Sequence, residues 1–81
     1  MSPPANALLQ RITIDQDICH GKPVVRGMRY PVTFLLDLLS SGMSFDDIIE
    51  DYPALEAADL YACLAYASVL TDVKSVHKVP Q

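Results

Sequence analysis

Between Val32 and Val73 the chain has no lysine or arginine, while Asp37, Asp46, Asp47, Glu50, Asp51, Glu56, Asp59 and Asp72 all fall there. Carboxylates are repelled by phosphate, so helices from this span make poor major-groove readers. No apolar run approaches the roughly 18–20 residues that a membrane span needs. The leading "MSPPANALLQ" lacks a basic start, and its apolar run is too short for a secretory leader, so a cytoplasmic protein is expected. Cysteine is scarce. Cys19 and Cys63 are expected as free thiols in a reducing compartment. Cys19 and His20 are adjacent, and neighbours in an extended segment point to opposite faces, which makes them a poor chelating or nucleophile–base pair. Cys63 and His77 show no metal-ligand spacing. The stretch "CHGKPVV" lacks both the first glycine and the Ser/Thr after lysine of a phosphate-binding P-loop. Neither catalytic residues, a metal site nor a cofactor is expected, and the protein is read as a non-enzyme.

What the chain does have is concentrated. At 81 residues it is one domain, and 51 % hydrophobic content is too apolar for a disordered tail. Its formal charge is −4, yet "CHGKPVVRGMRYPV" at residues 19–32 holds three of its six cations and two of its three glycines. Residues 1–31 net +2 and residues 32–73 net −8, with Lys74 and Lys78 in the tail. Opposite charge on separate segments suggests separate partners, or attraction to a neighbouring copy. Lys22, Arg26 and Arg29 on this loop, with Arg11 beside them, are the candidates for phosphate contact, and Gly21 and Gly27 allow close backbone approach. The alternative is that these cations are simply solvated or pair with the acidic second helix.

Residues 1–10 are expected as a frayed arm opposed to regular structure by Pro3 and Pro4, and 73–81 as a tail. The alternation in "RITID" predicts a short strand from Arg11, and Val24–Val25 a second extended piece. From Val32 the period becomes helical. Val32, Leu35, Leu36 and Leu39 form one face of a first helix behind Pro31, and Gly42 ends it. Ser44 and Asp47 have capping-box spacing for a second helix, with Phe45, Ile48, Ile49 and Tyr52 as its apolar stripe and Pro53 as its stop. A third helix is expected from about Glu56 to Leu70.

This third helix carries no charge between Leu60 and Leu70. A small domain can bury one stripe, assigned to Leu60, Leu64 and Ala67. Tyr61, Ala62, Ala65, Tyr66 and Val69 are then left to face another protein, with a homodimer expected. The competing arrangement wraps this helix with the chain's own leading residues through Leu8 and Leu9. Three short helices with a glycine-containing turn give a mainly α, trihelical, helix-turn-helix-like fold over residues 11–72 behind a short β element.

The motif "CHGKPVVRGMRYPV", then "GMSFDDIIEDYPAL", then an alanine-rich helix closely resembles the bacterial domain-of-unknown-function family 433. The resemblance spans about residues 11–70. Its pattern carries over onto Gly21, Lys22, Pro23, Arg26, Gly27, Arg29, Pro31 and Val32, then Gly42, Ser44, Tyr52 and Pro53. Met28 replaces the usual threonine, Tyr30 stands at a usually aliphatic position, and Glu56 replaces the threonine that usually caps the third helix. The resemblance implies a homeodomain-like or winged helix-turn-helix fold and a type II antitoxin. Such a protein binds a PIN-like nuclease toxin and can bind operator DNA to repress its own genes. The alternative from the residues themselves is a protein-interaction module that does not bind DNA.

Overall fold

A computed structural model describes residues 5–71, as a mainly helical domain with a small β element at its front. The elements are α1 (Ala5–Leu9), β1 (Ile12–Thr13), a single 3-10 turn (Cys19–Gly21), β2 (Val24–Val25), α2 (Val32–Ser40), α3 (Phe45–Asp51) and α4 (Ala57–Thr71). The tail 73–81, with its lysines and His77, lies outside the described residues.

β1 and β2 pair antiparallel with Ile12 opposite Val25 and Thr13 opposite Val24. The Arg26 N–H donates to the Arg11 carbonyl at 2.7 Å, so the pairing runs one residue further and sets the two arginines side by side. At Val25–Met28 the chain reverses in a tight turn, closed by the Met28 N–H on the Val25 carbonyl at 2.8 Å. Its central residues, Arg26 (φ 46°) and Gly27 (φ 69°), are both left-handed, as a type I′ turn requires. Glycine takes that conformation freely, whereas arginine gives up roughly 1–2 kcal/mol and needs a reason to stay. The returning segment bonds back through the Val25 N–H to the Tyr30 carbonyl and leads into α2.

The three helices behind it follow their local signals. Pro31 precedes α2 in an extended conformation. Gly42, at φ 102°, ends it in a Schellman arrangement, with the Met43 N–H on Leu38 and the Gly42 N–H on Leu39. The Ser44–Asp47 capping box closes in both directions at 3.1 and 3.2 Å. Val25, Val32, Leu35, Ile48, Leu55, Leu60 and Cys63 form the core cluster, so every element from β2 onward contributes to it. Tyr52, at the end of α3, stacks edge-on against Tyr30 and Phe34 and ties the hairpin to α2 and α3.

Two expectations are corrected. The front of the chain is not simply a frayed arm: residues 5–9 form a helix that packs on α4, with Leu8 buried to 7 % exposure. The buried side of α4 is Asp59, Leu60, Ala62 and Cys63, while Leu64, assigned to the core, is 43 % exposed. The helix is rotated from the expected phase because a carboxylate, Asp59, faces inward. An apolar-only stripe could not anticipate that.

If α1 contributes to stability, Leu8→Ala will cost about 2 kcal/mol or more, the lower part of the usual range for a buried leucine. Thermal or urea melts of the variant measure it. An unchanged midpoint would mean that α1 does not hold its place on α4.

Candidate functional site

The expected cationic cluster divides into two pairs. Arg11 and Arg26 project from adjacent positions of the β ladder toward the first turn of α4. There Asp59 is fully buried and accepts from both. Arg26 binds bidentately, Nε to Oδ1 at 2.9 Å and Nη2 to Oδ2 at 2.7 Å, and Nη2 also donates to the Ala54 carbonyl. Arg11 Nη1 donates to Asp59 Oδ1 at 2.9 Å and to Glu56 Oε1 at 2.8 Å. The Glu56 N–H, at the start of α4, donates to Asp59 Oδ2 at 2.8 Å. That bond supplies one half of a capping box, with the Asp59 carboxylate accepting from the N–H of the residue that precedes α4. Two arginines side by side on a ladder would repel. Asp59 between them removes the repulsion and gives Arg26 its reason to remain left-handed.

Burial alone would push the Asp59 carboxyl up. The Arg26 guanidinium, the Glu56 N–H and Arg11 outweigh that and hold it below its ordinary value. Arg11 is raised by Glu56 and then Asp59, and Arg26 by Asp59. Both remain charged at any relevant pH. Arg11 and Arg26 therefore hold the β element to α4 and are not free cations. Lys22 and Arg29 are exposed and make no ion pair among the described residues. The acidic second helix has no part in this pairing, since the partners lie on α4.

The Cys19–His20 pair is not extended. Cys19 (φ 51°), His20 (φ 58°) and Gly21 (φ 83°) are successive left-handed residues. Among the described residues no group of His, Cys, Asp and Glu could hold a metal ion. Burial pushes the Cys63 thiol up to about 12, so it stays protonated and unreactive.

The expected interface on α4 is also redistributed. Tyr61 and Val69 are exposed, Ala65 and Tyr66 half-buried, and Ala62 fully buried, so Ala62 is removed from any interface. Leu64 takes its place. Tyr61 stacks edge-on with Phe45 at 4.9 Å. Together with Leu64 they make an uncharged outer face flanked by Asp46 and Asp47 in the chain. On another side, the last turns of α4 and the start of α2 enclose a half-open groove of about 260 Å³. Pro23, Val32, Leu36, Tyr66, Ala67 and Leu70 form most of its carbon wall, and Lys22 is its one charged lining residue. Sequence reasoning missed both Asp59 and this groove. The signal for Asp59 was an acid in the first turn of an otherwise neutral helix, with two arginines upstream. No local pattern marked the groove.

The chain is a small, mainly helical domain with a front β element and a buried carboxylate clamp, and the comparisons show its family. Residues 12–67 match the family described as "Protein of unknown function (DUF433)", and the chain belongs to that family. It is 36 % identical over 56 residues to the "Uncharacterized protein y4eO" of Sinorhizobium fredii, a match covering 69 % of this chain and 25 % of that protein. The fold is similar to the crystal structure of a DUF433 member from Anabaena variabilis. That similarity has a TM-score of 0.70 at 30 % identity, over 79 % of this chain and 63 % of that one. The chain thus spans a quarter of the curated relative's length and somewhat under two thirds of the solved relative's.

Asp59→Ala should cost about 2–3 kcal/mol in urea unfolding. This lies below the usual range for a broken buried pair, because both arginines keep about a third of their side-chain surface in water. The wild-type contribution of Asp59 is complete above its ordinary pKa of 3.8 and is lost as pH falls through the lower folded value. The Asp59→Asn variant should lack this part of the acid-limb loss, seen as a flatter stability profile below pH 4.

Proposed function

We propose that this protein is a non-catalytic binding protein of the cytoplasm, the antitoxin of a type II pair, which holds a PIN-like nuclease toxin and self-associates as a homodimer. The observation that carries this reading is the outer face of α4. Tyr61 and Leu64 are each 43 % exposed on a helix with no charge after Asp59, in a domain otherwise rich in surface acid. Such a surface fits a protein partner, with aromatic and aliphatic anchors at its centre and charge at its rim. The carboxylates of α3 would form that rim and meet basic residues of the nuclease.

A specific observation favours the reading without DNA over the repressor reading. Arg11 and Arg26 are engaged with Asp59, which leaves Lys22 and Arg29 as the open cations of the loop. Two phosphate contacts per chain change log K by only about −1.8 per decade of salt, too little for tight operator binding without doubling in a dimer.

Co-purification with the product of the adjacent gene tests the proposal. A stable complex that suppresses nuclease activity is expected, and Leu64→Asp should abolish it without changing the melting temperature by more than a degree or two. An adjacent nuclease that neither binds nor is inhibited would overturn the antitoxin reading. In a mobility-shift titration, Lys22→Ala with Arg29→Ala should remove any DNA retention the complex shows.

A further inference from the structure

We propose that the outer edge of β1 is a self-pairing strand, which joins β1 of a second copy of this chain in antiparallel register about Thr13. The inference rests on the homodimer in the reading above and gives it a location away from the outer face of α4. The backbone fixes which groups are open. Val25 donates its N–H to the Tyr30 carbonyl at 3.1 Å, on the side of β2 away from β1. Ile12, opposite Val25, therefore occupies a non-hydrogen-bonded position of the β1–β2 ladder, and its own N–H and C=O point to the outer side. Ile14, two residues on, falls on the same side, and its N–H and C=O have no backbone partner among the described residues. From Ile12 to Ile14 there is no proline and no charge of the kind that keeps a sheet edge from pairing.

The residues around Thr13 are complementary to themselves, which selects a second copy over an unrelated strand. An antiparallel pair centred on Thr13 sets Ile12 opposite Ile14 of the other copy, and these open residues exchange both N–H···O bonds. The Ile14 side chain, 60 % exposed in one copy, then lies against the partly buried Ile12 of the other. Arg11 falls opposite Asp15, which is exposed, at a closely spaced position that the two-fold axis repeats. Arg11 has donors for this contact. Its Nη1 serves Glu56 and Asp59, while Nε and Nη2 make no bond among the described residues and are not buried. A pair centred on Ile12 or Ile14 would instead set an open residue against Gln10 or Gln16, both in turns. The joined sheet places both copies of β1 in its interior and exceeds the roughly three strands that a stable sheet needs.

Sedimentation velocity and amide hydrogen exchange on the full chain test the proposal. Ile14→Pro removes an outward N–H and no bond between β1 and β2. It should weaken dimerisation about tenfold or more and leave the circular dichroism melt unchanged. Asp15→Asn keeps the side-chain oxygen that accepts the Asp17 N–H at 2.8 Å but removes the charge opposite Arg11. Its dimer should be weaker by roughly two- to tenfold. In the wild type, the Ile12 and Ile14 amides should exchange slowly at dimer-forming concentration and fast on dilution. A chain that stays monomeric at several hundred micromolar overturns the proposal. So does a dimer that Ile14→Pro leaves intact, or one in which those two amides exchange freely. Loss of nuclease binding by Ile14→Pro with an unchanged dimer would assign the edge to the nuclease and overturn it as well. A nuclease that never binds would sink the antitoxin reading and leave the dimer outcomes unaffected.

Discussion

One buried carboxylate organises the molecule. Asp59 accepts four hydrogen bonds, from two arginines of the β element and from the start of its own helix, while fully removed from water. A carboxylate in that position is tolerable only if charged partners enclose it, and losing one would leave the others uncompensated. The consequence is mutual dependence. The two-residue strands are too short to persist alone. The left-handed Arg26 turn costs energy, and the two adjacent arginines would repel. Asp59 turns all of these into one docked unit, and the docked unit in turn permits Asp59 to be buried.

This arrangement explains why an acidic protein gathers cations at its front. Half of them neutralise the first turn of α4, and the helix beyond Asp59 then proceeds without charge. The outer face of that helix and the groove at its far end are two distinct apolar surfaces, with acid near the first and Lys22 at the second.

The helices were legible because their signals are local. Pro31, Gly42 and the Ser44–Asp47 spacing set boundaries within a few residues of one another, and the 3.6-residue period of α2 survived into the fold. The helix α4 was legible in extent but not in phase. Its sequence is apolar nearly all round, so periodicity gave no preferred face, and the residue that decided the matter was a charged one acting across 33 and 48 positions. The same long range hid the fate of Arg11 and Arg26. As loop cations they resemble phosphate ligands, and only the ladder register, which places them together over α4, shows them to be a clamp. Residues 5–9 illustrate the opposite limit. Two prolines suggested a frayed arm, yet the uncharged flank of α4 gave Leu8 a place to bury.

The claim that Asp59 couples the front of the chain to the helices is tested most directly by a double-mutant cycle on Arg26 and Asp59, each replaced by alanine, in urea unfolding. A coupling energy of about 1.5–3 kcal/mol is expected, the upper part of the range for residues in direct contact. Additive losses, with coupling indistinguishable from zero, would contradict it.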